Sequence, residues 1–98
     1  MTRKREMIQR KLVIQNKSGL HARPAALFVQ AANQFESEIR VSRSNGSDSE
    51  EVDAKSIMGI MMLAASQGCE ITISASGPDA PQAIKKLADL VSDKFGEE

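Results

Sequence analysis

The sequence has no tryptophan, no tyrosine, one cysteine, one histidine and three prolines in 98 residues. A single cysteine, Cys69, forms no internal disulfide and supplies no thiolate cluster, which excludes a disulfide-stapled scaffold and a cysteine-built zinc site. It lies just before a strand pattern and reads as a small, partly buried hydrophobe. Neither sign of charge dominates. Lys plus Arg and Asp plus Glu number 13 each, so no net field argues for nucleic acid as a partner. The basic cluster Arg3, Lys4, Arg5 is short and reads as part of a flexible tail over residues 1–7 rather than as a nucleic-acid arm. No apolar run is long enough to insert across a bilayer, and the basic N-terminus lacks the apolar stretch of a secretory signal. The expectation is a cytoplasmic chain with one domain over residues 1–98 and a modest core.

The only histidine, His21, sits in the stretch Gly19-Leu20-His21-Ala22-Arg23-Pro24-Ala25-Ala26. An apolar-periodic run follows, so Pro24 falls in the first turn of a helix. Proline is welcome there because first-turn N–H groups have no intrahelical acceptor and its φ is already near helical. Gly19 frees the backbone to turn sharply just before. Each residue alone has an ordinary reading: a capping histidine, a solvated arginine, punctuation. Together they place a nucleophilic imidazole, a guanidinium able to bind phosphate with two parallel bonds, and the positive end of a helix dipole at one spot.

The rest of the chain alternates strand and helix patterns. Leu12 and Ile14 alternate with Lys11, Val13 and Gln15 in a strand over Gln9 to Asn16. A helix from about Ala22 to Gln34 carries the stripe Ala25, Phe28, Ala32, Phe35. Ile39 and Val41 mark a second strand, Ser44-Asn45-Gly46-Ser47 a turn, and Glu50 to Asp53 a short third strand. Ser56 is a good N-cap for the run Ile57 to Ala65, which Gln67-Gly68 should stop. This helix is apolar nearly all round. If Ile60, Leu63 and Ala64 point inward, Ile57, Met58 and Met61 are left partly outside; a methionine-rich core and an adaptable docking surface both fit. Ile71, Ile73 and Ala75 mark a fourth strand. Asp79 with Gln82 three residues on has the pattern of a capping box, opening a helix with the stripe Ala80, Ala83, Ile84, Leu87, Leu90, Val91. The order βαββαβα, with short antiparallel strands, is an α+β open-faced sandwich: a four-stranded antiparallel sheet with three helices on one face.

Gly19-Leu20-His21-Ala22-Arg23-Pro24-Ala25 resembles the active-site signature of the HPr family, the histidine-containing phosphocarriers of the bacterial phosphoenolpyruvate phosphotransferase system. Lys55-Ser56-Ile57-Met58-Gly59-Ile60-Met61 is similar to the family's second signature, around a regulatory serine, and Glu70 to Gly77 to its last strand. The resemblance runs from about Gln9 to Val91. It implies an HPr-like fold whose two central strands are the first and the last. It implies that His21 carries a phosphoryl group on Nδ1, supported by Arg23, received from Enzyme I and passed to IIA proteins that serve sugar transport or a nitrogen branch. Ser56 would then be a site for an HPr kinase/phosphorylase, where phosphate adds charge beside an apolar docking patch. That patch is expected to join Ala22 and Ala26 to Ile57, Met58 and Met61. A monomer without metal or cofactor is expected. An adaptor that binds partners without carrying phosphate is the competing class. A hydrolase with His21 as base is disfavoured, because its motif holds no carboxylate or thiol nucleophile and so small a domain offers little cleft.

Overall fold

The computed structural model describes residues 7–43 and 51–97. The elements follow the expected order: β1 (Met7–Val13), α1 (Ala22–Ala32), β2 (Glu38–Arg43), β3 (Val52–Asp53), α2 (Ile57–Met62), β4 (Glu70–Ser76) and α3 (Ala80–Ser92), with a 3-10 turn at Lys94–Gly96. The strands form one antiparallel sheet in the order β1-β4-β2-β3. The central strands are therefore β4 and β2, and β1 lies at an edge, contrary to the expectation that the first strand is central.

Strand alternation decides which face is covered. In β2, Ile39 and Val41 are buried while Glu38 and Arg40 are exposed. The register sets Ile39 against Ala75 and Val41 against Ile73, so one apolar surface runs across both central strands. Onto it α1 packs Ala25, Phe28, Val29 and Ala32, and α3 packs Ala83, Ile84, Leu87 and Val91. Phe28 is fully buried at the middle of this layer. A residue of that size removed to alanine costs about 3–5 kcal/mol.

The element ends differ from the expected bounds, each for a local reason. β1 begins at Met7, which therefore belongs to the sheet and not to a tail. It ends at Val13, and Ile14 leaves the ladder to exchange hydrogen bonds with the 68–69 loop: its N–H donates to the Cys69 carbonyl (2.9 Å) and its carbonyl accepts from Gly68 N–H (2.8 Å). Cys69 itself is buried, as its place before β4 suggested. α1 stops at Ala32, where Asn33 caps it: both its backbone N–H and its Nδ2 donate to the Val29 carbonyl at 2.9 Å. β3 is only Val52–Asp53; the expected turn at Ser44 to Ser47 and Glu50 lie outside the described residues.

α2 is six residues long and does not reach Ala65. Leu63 is buried as expected, but Ala64 is exposed and adopts φ +52°, a left-handed conformation that costs roughly 1 kcal/mol for an alanine. The turn returns Ala65 to the core and frees its carbonyl to accept from Leu20 N–H at 2.9 Å. Continuing the helix would forgo both.

Asp79 makes no capping bond to α3. Its carboxylate instead accepts from the Glu36 and Ser37 N–H groups, both at 2.9 Å, and from the Ser37 hydroxyl. The capping box is thus replaced by a clamp on the loop entering β2. The Ser37 hydroxyl bond first, then the Glu36 N–H, hold the Asp79 carboxyl below the usual carboxylate range.

Candidate functional site at the start of the first helix

His21 is the N-cap of α1, with extended backbone (φ −78°, ψ −174°). It is fixed from both sides. Before it, Leu20 is buried and bonded to the Ala65 carbonyl. After it, the Ala25 N–H donates to the His21 carbonyl at 2.7 Å, closing the first helical turn. Gly19 has φ +66°, and a Cβ there would lie 2.5 Å from the Ala65 carbonyl oxygen, so glycine is needed both for conformation and for close approach. Pro24 is buried and anchors the turn, while His21, Ala22 and Arg23 are exposed.

The imidazole is available. His21 makes no side-chain capping bond, which leaves the first-turn N–H groups of Ala22 and Arg23 facing outward with it. Arg23 forms no ion pair among the described residues; the pairs present are Arg40–Glu38 and Lys85–Asp89. An open cleft of about 790 Å³ runs past His21 and Arg23 and is lined also by Lys17, Ser18, Met61 and Glu97. An anion entering it meets a helix N-terminus, a guanidinium and a nucleophilic ring. Among the described residues no three His, Cys, Asp or Glu side chains converge to hold a metal.

Met61 joins this cleft to the second motif. In α2 only Ile60 is buried; Ile57, Met58, Met61 and Met62 are 44%, 70%, 40% and 73% exposed. At six residues the helix buries one side chain, so its methionines form a surface and not a core. Ala22 is exposed and Ala26 half-buried on the neighbouring α1. Met62, which the sequence reading did not assign to the patch, belongs to the same exposed group. Gly59 lets α2 approach β3, since a Cβ there would sit 3.2 Å from Val52 Cβ. Ser56 is half-buried and caps α2, its Oγ accepting from Gly59 N–H at 3.1 Å.

Two cleft residues, Ser18 and Glu97, were not identified from the sequence. Ser18 lies in the short stretch between β1 and α1, with no local pattern to mark it. Glu97 reaches the cleft from 79 residues away, and no spacing rule could have joined them.

Comparison with known proteins agrees with the motifs. Residues 8–93 match the family model described as PTS HPr component phosphorylation site. The chain is 48% identical over 91 residues to phosphocarrier protein HPr of Cupriavidus necator, covering 93% of this chain and 98% of that one. It is also 48% identical over 88 residues to the HPr-like protein Crh of Bacillus subtilis, covering 90% of this chain and 99% of the relative. A Crh crystal structure, a domain-swapped dimer, matches with TM-score 0.67. A crystal structure of HPr from Thermoanaerobacter tengcongensis matches at 54% identity and TM-score 0.84, covering 93% of this chain and 98% of the other. With the fold, the helix-start motif and these relatives in agreement, the chain belongs to the HPr family of phosphocarriers of the phosphotransferase system.

Proposed function

We propose that this chain accepts a phosphoryl group on His21 Nδ1 from phospho-Enzyme I and passes it to a IIA protein. The observation that carries the reading is the uncapped, exposed imidazole at the α1 N-terminus beside Arg23. The ring nitrogen attacks the phosphorus in line. A new N–P bond forms as the donor's bond breaks, and the electron pair of the broken bond returns to the donor. The first-turn N–H groups and the Arg23 guanidinium then neutralise part of the phosphoryl charge. All of these groups face solvent, so they stabilise the phosphoryl modestly and leave it transferable.

Direct transfer requires each partner to close over His21. We assign that contact to Ala22, Ala26, Ile57, Met58 and Met61, whose apolar side chains exclude water around the ring while flexible methionines adapt to more than one partner. Donor and acceptor share the patch and must exchange, with the chain acting as a monomer. Incubation with Enzyme I and phosphoenolpyruvate, followed by mass spectrometry, tests the reading: one acid-labile phosphoryl group is expected on the wild type and none on His21→Ala. Acid-labile phosphate on the variant would refute the assignment of His21.

A regulatory reading has its own support, in the similarity to Crh and in Ser56 at the border of the patch. Phosphorylation of Ser56 by an HPr kinase/phosphorylase would set roughly two negative charges beside Ile57 and Met58 and weaken docking of partners with acidic rims. The presence of His21 favours the carrier as the primary role. Incubation with such a kinase and ATP, read by acid-stable phosphate on wild type but not on Ser56→Ala, decides whether the second layer exists.

A further inference from the structure

We propose that Glu97 is a positioning residue for phosphoryl transfer at His21, a role that rests on the phosphocarrier reading above. The loop that delivers His21 is fastened on its inner side by backbone bonds from Ile14 and Leu20 to the Cys69 and Ala65 carbonyls, both 2.9 Å. Its outer side is fastened by side chains. Asn16 is fully buried, and its Nδ2 donates to the Gly19 carbonyl (2.9 Å), to Ser18 Oγ (3.2 Å) and to Glu97 Oε1 (3.1 Å). Ser18 Oγ donates onward to the Glu97 carboxylate, at 2.9 and 3.2 Å to its two oxygens.

The Asn16 amide shows how much of this arrangement the carboxylate dictates. Its nitrogen serves three acceptors with two hydrogens, while its oxygen, Oδ1, is buried without a partner among the described residues. A buried acceptor left unmade is unfavourable. The opposite amide orientation would set Oδ1 against the Gly19 carbonyl and the Glu97 carboxylate, oxygen against oxygen. The orphan is the lesser cost, and Glu97 is the only charged member of the set that imposes it.

The backbone also bends to deliver this carboxylate. Lys94, Phe95 and Gly96 have φ of +56°, +54° and +76°, and the buried Phe95 ring anchors the reversal. Left-handed geometry at lysine and phenylalanine persists only where the surroundings over-determine it. It turns the chain after α3 so that Glu97 lies over Ser18, three residues before His21, in the cleft that His21 and Arg23 line. Glu97 does not touch the patch residues of α2 in any hydrogen bond or ion pair of the described residues. Its effect reaches His21 through the loop: a nucleophile held in line reacts more often per encounter than one that wanders.

The test compares Glu97→Ala and Glu97→Gln with the wild type in phosphoryl uptake from phospho-Enzyme I, and in amide hydrogen exchange at Gly19 and Leu20. Glu97→Ala should lower kcat about fivefold, as expected for loss of one net hydrogen bond that orders the loop, with KM for Enzyme I unchanged. Exchange at Gly19 and Leu20 should quicken. Glu97→Gln keeps an oxygen that accepts from Ser18 and Asn16 and should recover most of the lost kcat. A wild-type kcat in Glu97→Ala overturns the proposal, and so does a glutamine variant as slow as the alanine one. If the wild type itself takes up no phosphoryl group, the phosphocarrier reading fails instead. The exchange data then decide the fastening alone: unchanged protection in Glu97→Ala overturns it, and faster exchange upholds it.

Discussion

Gly19 and Gly68 offer a matched pair for testing how tightly the His21 loop is seated. Both are left-handed, with φ of +66° and +88°. A Cβ on Gly68 meets nothing within 4 Å, so Gly68→Ala should carry only the conformational cost, about 1 kcal/mol. A Cβ on Gly19 would lie 2.5 Å from the Ala65 carbonyl oxygen and 2.9 Å from Ser66 Cα. Both are backbone atoms and cannot swing away. That carbonyl is the acceptor for Leu20 N–H at 2.9 Å, so its displacement weakens a bond worth about 1 kcal/mol. The backbone shift adds about 1–3 kcal/mol of the kind seen on overpacking. Gly19→Ala should therefore cost about 3–5 kcal/mol, a large share of the stability of a domain this size. Urea unfolding followed by circular dichroism suits a chain without tryptophan. With a slope of about 1 kcal/mol per M, Gly68→Ala should lower the midpoint by about 1 M and Gly19→Ala by at least about 3 M. Gly68→Ala should keep phosphoryl uptake, and Gly19→Ala should lose most of it even in buffer where it remains folded. Equal midpoint shifts for the two variants would refute the close approach as the reason for Gly19.

Other outcomes follow from the same geometry. Arg23→Glu should slow transfer to and from His21 by about tenfold, since it places a like charge beside the phosphoryl group; unchanged rates by quench-flow would leave Arg23 a solvated side chain. Met58→Glu should leave thermal stability unchanged because Met58 is 70% exposed, yet weaken binding of both Enzyme I and a IIA protein by about tenfold in titration calorimetry. Undiminished affinity for both would remove Met58 from the patch. Asp79 sets an acid dependence: its folded pKa lies below its unfolded one, so its contribution is complete above the unfolded value and is lost as pH falls through the folded value. The urea midpoint of the wild type should fall across that acid range, and that of Asp79→Asn should fall less; identical pH slopes would show that the clamp on Ser37 is not the source.

The helix-start motif was legible because every part of it is local. Pro24 in a first turn, Gly19 before a reversal and a lone His21 between them are read from consecutive residues, and the structure returns each to that setting. The period-2 and helical stripes likewise marked Ile39, Val41, Phe28 and Leu87 as core. What misled was chemistry with a distant partner. Asp79 with Gln82 satisfies the pattern of a capping box, but Ser37 and Glu36, more than 40 residues away, offer its carboxylate three donors at once and win. The early end of α2 was hidden for the same reason, because the Leu20 N–H that claims the Ala65 carbonyl is 45 residues upstream. Strand order was invisible to pattern, since β1 at an edge and β1 in the centre alternate alike.

The edge position of β1 bears on how such a chain stays dispersed when it is abundant. Among the described residues, the seven-residue β1 has one ladder filled by β4 and its other row of N–H and C=O groups open to a passing strand, whereas β3, two residues long, gives almost no template. The open row is guarded by consecutive exposed cations, Arg10 and Lys11, at its middle. Two copies meeting antiparallel about that point would bring four positive charges together before any sheet could extend, so the strand most able to seed aggregation carries a repulsion that opposes it.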